Sequence, residues 1–135
     1  MGDFWVGSVF VSPKQQRLYV LDWDFPRTDV PAADVGMFCG TTELYGGTNP
    51  TSPAATVVQK FIDAYARTAR RDKYLARDTL AYWGSCFEYF APLDTKYDRQ
   101  VIREYVEKGK KKVSLAHSGD NEDLKDSQVK ALLPV

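Results

Sequence analysis

The sequence predicts an α+β fold with an N-terminal β-hairpin, a long irregular loop, about three α-helices and an extended C-terminal tail. Three observations predict it: apolar residues alternate with period two near the N-terminus, a Pro- and Gly-rich stretch follows, and apolar residues then recur at helical spacing. The chain has 135 residues, of which 44% are hydrophobic. That length favours one domain, and the composition excludes wholesale disorder, a fibre or a disulfide scaffold.

The hairpin is predicted over residues 4–24. Apolar side chains alternate along residues 4–11, and a second β-rich run over 17–23 follows the turn residues 12–16. Two such runs separated by a short turn are typical of a hairpin. Because both faces of the first strand are apolar, we expect that strand to be central in a sheet or covered on both sides.

An irregular loop is predicted over residues 25–52. This stretch holds three prolines and four glycines, which interrupt regular structure. A short apolar piece over 35–39 could add a third strand. Loops of this length often belong to a binding surface, so we expect the loop to pack on a partner.

Three helices are predicted over residues 53–113. The first begins at Ser52-Pro53, an N-cap followed by proline in the first turn. The second begins near Asp78 and ends at Pro92, because proline cannot continue a helix. The third is capped at 94–95 and stops at Gly109.

The expected organisation is one small α+β domain over 1–113 and a polar docking tail over 114–135. The start of the tail is rich in acidic and small polar residues. Residues 124–133 could form a short helix, which we expect to dock on a neighbouring protein.

The sequence offers little that predicts catalysis. His117 is the only histidine, and Cys39 and Cys86 have no spacing typical of a metal site. The carboxylates of Asp22 and Asp24 could bind a divalent ion or act as acid and base, but their position at a strand end favours a turn. The glycines match no phosphate-binding pattern. We therefore predict no enzyme, with no catalytic, cofactor-binding or metal-binding residue.

The charge is unevenly distributed, although 18 basic and 18 acidic residues give a net charge of zero. Residues 53–113 hold 13 basic and 8 acidic side chains. A cluster within this stretch is the predicted binding site for an acidic partner or an anionic lipid: Arg67, Arg70, Arg71, Lys73 and Arg77. The alternatives are a solvated helix face and a phosphate or RNA site, although no aromatic–basic pattern favours nucleic acid.

Aromatic residues make up 13% of the chain, which exceeds what one small core requires. Tyr and Trp are enriched at protein interfaces because they bury large areas and keep a polar group. The predicted interface aromatics are Trp5, Phe38, Tyr45, Tyr82, Trp83 and Tyr89.

These features favour a non-enzymatic structural or accessory subunit of a larger intracellular multiprotein assembly in a reducing compartment, with no transmembrane span of its own. The overall character is similar to accessory subunits of mitochondrial respiratory-chain or ATP synthase complexes, and that resemblance implies other subunits, and cardiolipin-like lipid, as partners. One alternative is a small ligand-binding domain or enzyme with a pocket between the hairpin and the helices, using Asp22, Asp24 or a tyrosine. Another is a phosphate- or RNA-binding protein that uses the arginine-rich helix.

Overall fold

The computed structural model describes residues 1–23, 30–71 and 73–134, except for the side chains of Lys73 and Asn121. The fold is mostly helical and broadly α+β, as predicted. Its elements are β1 (Val9–Ser12), β2 (Arg17–Val20), α1 (Pro31–Gly46), α2 (Pro53–Thr68), α3 (Lys73–Phe90), α4 (Arg99–Ser118) and α5 (Asn121–Lys125). Short 3-10 turns lie at Val6–Ser8, Ala91–Leu93 and Lys130–Leu132. The described residues thus hold five α-helices, where about three were expected.

The predicted hairpin is confirmed, but its surroundings are not those expected. The strands β1 and β2 are antiparallel, with Val9 opposite Val20 and Ser12 opposite Arg17. Within the described residues the sheet has only these two strands. Phe10 is 57% exposed and Val11 58% exposed, so the prediction that the first strand is central or doubly covered is wrong in the part of the chain described here.

The loop predicted over 25–52 is wrong for most of its length, because residues 31–46 form α1. Residues 24–29, which include Asp24, lie outside the described residues. The glycines that suggested a loop instead permit close helix packing. A Cβ at Gly36 would lie 2.6 Å from the Thr79 carbonyl oxygen of α3, and one at Gly40 would lie 2.6 Å from Cys86 Cβ.

The predicted start of α2 is confirmed by its cap. The Ser52 hydroxyl accepts a hydrogen bond from the Ala55 N–H at 3.1 Å, which satisfies one of the free donors at the helix start. The next helix, α3, begins five residues before the predicted Asp78. It ends at Phe90, where the turn containing Pro92 follows.

The third predicted helix corresponds to α4, with different ends. Asp98 caps it by accepting hydrogen bonds from the N–H groups of Gln100 and Val101. The helix continues through Gly109 because this glycine faces α3. A Cβ there would lie 2.6 Å from the Gly84 carbonyl oxygen, so the glycine marks a close helix crossing rather than a stop.

The core is built around α3, which packs between α1 and α4. Trp83 and Phe87 of α3 are fully buried. The predicted tail also belongs to this core: its first residues continue α4, and Leu124, Val129 and Leu132 are 0% exposed. These side chains therefore pack on this chain's own helices. No helix within the described ranges combines the length and the hydropathy that a bilayer span requires.

Candidate functional site

Ser8, just before β1, links the backbone of Asp3 to the residue that precedes Asp22. The Ser8 side chain is buried, and its hydroxyl donates a hydrogen bond to the Asp3 carbonyl oxygen at 3.3 Å. The Leu21 N–H donates to the Ser8 carbonyl oxygen at 2.8 Å. Ser8 is thus bonded both to Asp3 and to the residue before Asp22, while the side chains of Asp3 and Asp22 stay exposed.

The backbone at Asp22 is unusual for a residue with a side chain. Its φ angle is +67°, in the left-handed region that residues other than glycine seldom adopt. Such conformations cost free energy and cluster at functional sites, where the surrounding structure enforces them. Here the Leu21 hydrogen bond holds the residue immediately before the strained position.

Helix α1 holds the N-terminal segment in place. The Asp34 carboxylate, in the first turn of α1, accepts hydrogen bonds from the N–H of Gly2 at 2.9 Å and of Phe4 at 3.2 Å, and from the Met1 nitrogen at 2.8 Å. About two helical turns after Asp34, the Thr41 hydroxyl accepts a hydrogen bond from the Val6 N–H at 3.1 Å. The backbone on both sides of Asp3 is therefore fixed.

A cavity of about 490 Å³ borders this region, between the hairpin and the helices. Its wall includes residues next to both exposed carboxylates: Gly2 and Phe4 flank Asp3, and Trp23 follows Asp22. The wall carries two paired charges, the Met1 terminal ammonium and the Asp34 carboxylate, and the aromatic residues Phe4, Trp23, Phe61, Tyr65 and Tyr82. The volume lies within the usual range for small-molecule sites.

The rings of this wall are supported from behind. Phe4 stacks on Phe38 with centroids 5.0 Å apart, and Phe38 lies 4.4 Å from the ring of Phe61. Burial raises the pKa of Tyr65, and the negative charge of Asp34 raises it further. Tyr65 is thus half-buried near Asp34, whose own charge is paired with the Met1 ammonium 2.8 Å away.

The predicted basic cluster is only partly an open surface. Arg67, Arg70 and Arg71 are exposed at the end of α2 and in the link to α3. Arg77 instead donates a hydrogen bond from Nη2 to the Gly119 carbonyl oxygen at 2.8 Å, which joins α3 to the end of α4. The side chain of Lys73 lies outside the described residues. A role of this cluster in binding a partner or anionic lipid stays a prediction.

The predicted interface aromatics fall into two groups. Phe38 is 7% exposed and Trp83 0% exposed, so both belong to the core of this chain. Tyr45, Tyr82 and Tyr89 are between 41% and 66% exposed. Trp5 packs edge-on against Tyr45, with ring centroids 6.3 Å apart. A partner on the exposed rings stays a prediction.

The cysteines and the histidine lie apart from the candidate site. Cys39 and Cys86 are buried free thiols, and burial raises the pKa of Cys39 well above its usual range and that of Cys86 to about 12. His117 is exposed near the end of α4. Thiols held in the protonated form are weak nucleophiles.

No model of a known protein family matches the chain, and no solved structure matches it. Two curated relatives match the chain, and both are named 4-hydroxytryptamine kinase. The one from Psilocybe cubensis is 27% identical over 85 residues, which cover 58% of this chain and 24% of the relative. The one from Psilocybe cyanescens is 22% identical over 138 residues, which cover 98% of this chain and 37% of the relative. The chain therefore matches about a quarter of the length of the first relative and little more than a third of the length of the second.

These relatives correct the functional prediction. Both are named as enzymes, so the prediction of a non-enzymatic accessory subunit is contradicted. The predicted class of mitochondrial accessory subunits is contradicted for the same reason. Asp3 was not among the predicted site residues, because the neighbouring residues 4–11 were interpreted only as an alternating strand. The spacing from Asp3 to Ser8, followed by an acidic residue after the second strand, was the signal that could have found the site.

Proposed function

We propose that this chain contributes the acidic side of a phosphoryl-transfer site to a small-molecule kinase. The observation that carries the proposal is that Ser8 bonds both to the backbone of Asp3 and to Leu21, the residue before Asp22. Two relatives named as kinases support the same reaction class.

The spacing of these residues agrees with a known kinase arrangement. Protein kinases place a catalytic-base Asp five residues before a metal-binding Asn, and a second metal-binding Asp, followed by an aromatic residue, comes after a further strand. Here Asp3 precedes Ser8 by five residues, and Asp22 is followed by Trp23. The chain departs from the pattern at Ser8, which stands where those kinases have Asn, and before Asp3, where Met1-Gly2 stands.

The donor set fits a magnesium ion held by few protein ligands. Mg²⁺ is usually bound by one or two carboxylates together with substrate phosphates and water. The exposed carboxylate of Asp22 can supply one such ligand. In the described part of the chain no group of three or more His, Cys, Asp or Glu side chains could hold a metal ion, so the nucleotide phosphates would complete the shell.

Each residue then has a distinct task. When bound, magnesium and ATP supply the phosphoryl group and offset its negative charge. The Asp3 carboxylate accepts the proton of the acceptor hydroxyl as the hydroxyl oxygen bonds to the γ-phosphorus and the bond to ADP breaks. The Ser8 hydroxyl fixes the backbone of Asp3, and Asp34 is a positioning residue that holds the segment from the α1 side.

The test combines nucleotide binding with turnover. The chain is titrated with Mg²⁺ and ADP while amide NMR signals are followed, and is then incubated with Mg²⁺, ATP and 4-hydroxytryptamine, for which both relatives are named. We expect shifts confined to the neighbourhood of Asp3, Ser8 and Asp22, and an acceptor product heavier by one phosphoryl group. Asp22→Asn should lose the shifts and the product, and Asp3→Asn the product alone.

The matched control is Asp126→Asn, since Asp126 is an exposed carboxylate in the C-terminal segment. It should behave as the unaltered chain does. Magnesium–nucleotide shifts that persist in Asp22→Asn, or a chain with neither shifts nor product, would overturn the proposal.

A further inference from the structure

Every polar group of Ser8 is already bonded within the chain. The Ser8 N–H donates a hydrogen bond to the Trp5 carbonyl oxygen at 2.9 Å, and the Ser8 carbonyl oxygen accepts one from the Leu21 N–H at 2.8 Å. The Ser8 hydroxyl donates to the Asp3 carbonyl oxygen at 3.3 Å. A serine side chain has one proton to donate and a single oxygen. The side chain of Ser8 is therefore committed to the backbone of Asp3.

The turn that contains Ser8 is also closed to solvent. Ser8 is 1% exposed and ends the 3-10 turn Val6–Ser8. The indole of Trp5 lies so close to this turn that a Cβ at Gly7 would overlap the ring. Mg²⁺ gives up its water reluctantly and usually keeps several water ligands when it is bound to a protein. A hydrated ion therefore cannot contact the Ser8 oxygen while the turn is closed.

Protein kinases have asparagine at the position that Ser8 takes in the proposed arrangement, and that asparagine holds a metal ion. Asparagine can bind a metal and donate a hydrogen bond at the same time, because its NH₂ group and its carbonyl oxygen are separate. Serine can replace the hydrogen-bond donor but offers no second polar atom. The exchange of side chain thus predicts a different metal shell.

We infer that Ser8 is a positioning residue, which fixes the Asp3 carbonyl group and supplies no bond to the metal ion that Asp22 binds. This inference rests on the proposed function, because it takes Asp22 as the metal-binding residue of that site. It adds that the metal shell lacks the ligand that protein kinases supply at the position of Ser8.

The binding test needs no turnover. Mn²⁺ takes the place of Mg²⁺ and is titrated into the chain with saturating ADP, and free Mn²⁺ is measured by electron paramagnetic resonance. Asp22→Asn should weaken Mn²⁺ binding about tenfold or more, because it removes a carboxylate ligand. Ser8→Ala should change the affinity by less than about twofold and leave the number of bound ions unchanged.

A second measurement reports on the position of Asp3. Ser8→Ala removes the donor to the Asp3 carbonyl oxygen, so the carbonyl carbon NMR signal of Asp3 should shift in the metal-free chain. Turnover of magnesium–ATP should fall about tenfold, while KM for the nucleotide should change by less than about twofold.

The matched control is Ser127→Ala. The Ser127 hydroxyl likewise donates to a backbone carbonyl oxygen, that of Leu124, at 2.7 Å, but in the C-terminal segment. Its loss should leave the Asp3 signal, Mn²⁺ binding and turnover unchanged.

If Ser8→Ala fails to fold, Ser8→Cys is used, because a thiol is similar in size to a hydroxyl. A thiolate in the metal shell would favour Zn²⁺ over Mn²⁺. With ADP present, the ratio of the Zn²⁺ and Mn²⁺ affinities should stay within about twofold of the ratio in the unaltered chain.

The outcomes separate the two proposals. Mn²⁺–ADP binding that persists in Ser8→Ala and is lost in Asp22→Asn, without any phosphoryl product, contradicts the proposed function and leaves this inference standing. Three results would overturn the inference alone: Mn²⁺ affinity about tenfold weaker in Ser8→Ala, an Asp3 carbonyl signal that does not move, or a gain in Zn²⁺ preference of about tenfold in Ser8→Cys. A chain that binds no Mn²⁺–ADP contradicts both.

Discussion

The indole N–H of Trp83 donates a hydrogen bond to Oε2 of Glu43 at 3.0 Å inside the core. The other oxygen of Glu43 accepts from the Gln128 side-chain amide at 3.0 Å. Lys112 lies over the Trp83 ring, 3.9 Å from its centroid, and also bonds to Gln128. One buried carboxylate thus ties α1 to α3 and to the C-terminal segment, with α4 joined through Lys112.

Trp83→Phe should destabilise the fold by about 3 kcal/mol. The variant leaves a buried charged oxygen of Glu43 without its donor and opens a space where the indole packs. The measurement is the free energy of unfolding by chemical denaturation.

The control for that prediction is the same change at an exposed site. Trp23 is 59% exposed, and its indole N–H donates only to the Val20 carbonyl oxygen. Trp23→Phe should change stability by less than about 0.5 kcal/mol. Equal effects at the two tryptophans would contradict the structural role assigned to Glu43.

We expect the fold to lose stability in both Gly84→Ala and Gly109→Ala. Replacing glycine by alanine within a helix usually has the opposite effect and raises stability by about 0.5–1 kcal/mol. Each new methyl group would lie 2.6 Å from a carbonyl oxygen of the facing helix, so α3 and α4 must separate. Thermal unfolding measures the effect. The control is Ser114→Ala, at an exposed position of α4, which should not destabilise the fold. A gain in stability in both glycine variants would contradict the close crossing of α3 and α4.

Asp34→Ala should release the N-terminal segment from α1. The N–H groups of Gly2 and Phe4 lose their acceptor, so their hydrogen exchange should accelerate by about tenfold. Asp98→Ala removes a carboxylate that likewise accepts two backbone N–H groups, but at the start of α4. That control should speed exchange at Gln100 and Val101 only.

Cys86 should make stability fall at alkaline pH. Burial raises its pKa from 9.0 to about 12, so the folded chain keeps a proton that the unfolded chain releases above pH 9. The stabilisation is complete below that pH and is lost as the pH rises toward the folded value. Between about pH 10 and 11, the unfolding free energy should fall more steeply than in Cys86→Ala, by about 1.4 kcal/mol per pH unit.

The raised pKa of Cys39 makes stability fall with pH in the same way, while the lowered pKa of the half-buried Lys112 acts in the opposite direction. Both remain in Cys86→Ala, so only the difference between the two slopes reports on Cys86. Parallel curves across the alkaline range would contradict a buried, protonated thiol at this position.

The sequence was sufficient for elements whose signals are local. Alternating residues around a short turn identified the hairpin, and the pair Ser52-Pro53 located the start of α2. These signals act through neighbouring residues, because caps and turns are satisfied within a few positions along the chain.

Prediction from the sequence was wrong where the role of a residue depends on contact with a distant part of the chain. Gly36, Gly40 and Gly109 were interpreted as loop or stop signals, yet each allows a helix to approach another closely. Residues 124–133 were expected to form a helix that docks on a neighbouring protein, yet their apolar side chains fill this chain's own core.

The candidate site shows the same division. The residue types at positions 3, 8, 22 and 34 were present in the sequence, but they lie up to 31 positions apart and share no local pattern of burial. Hydrogen bonds between segments, from Ser8 to Asp3, from Leu21 to Ser8 and from Gly2 to Asp34, link these positions in the folded chain. Local chemistry along the chain determined the hairpin and the capped helix, whereas long-range packing decided which glycines, carboxylates and rings meet.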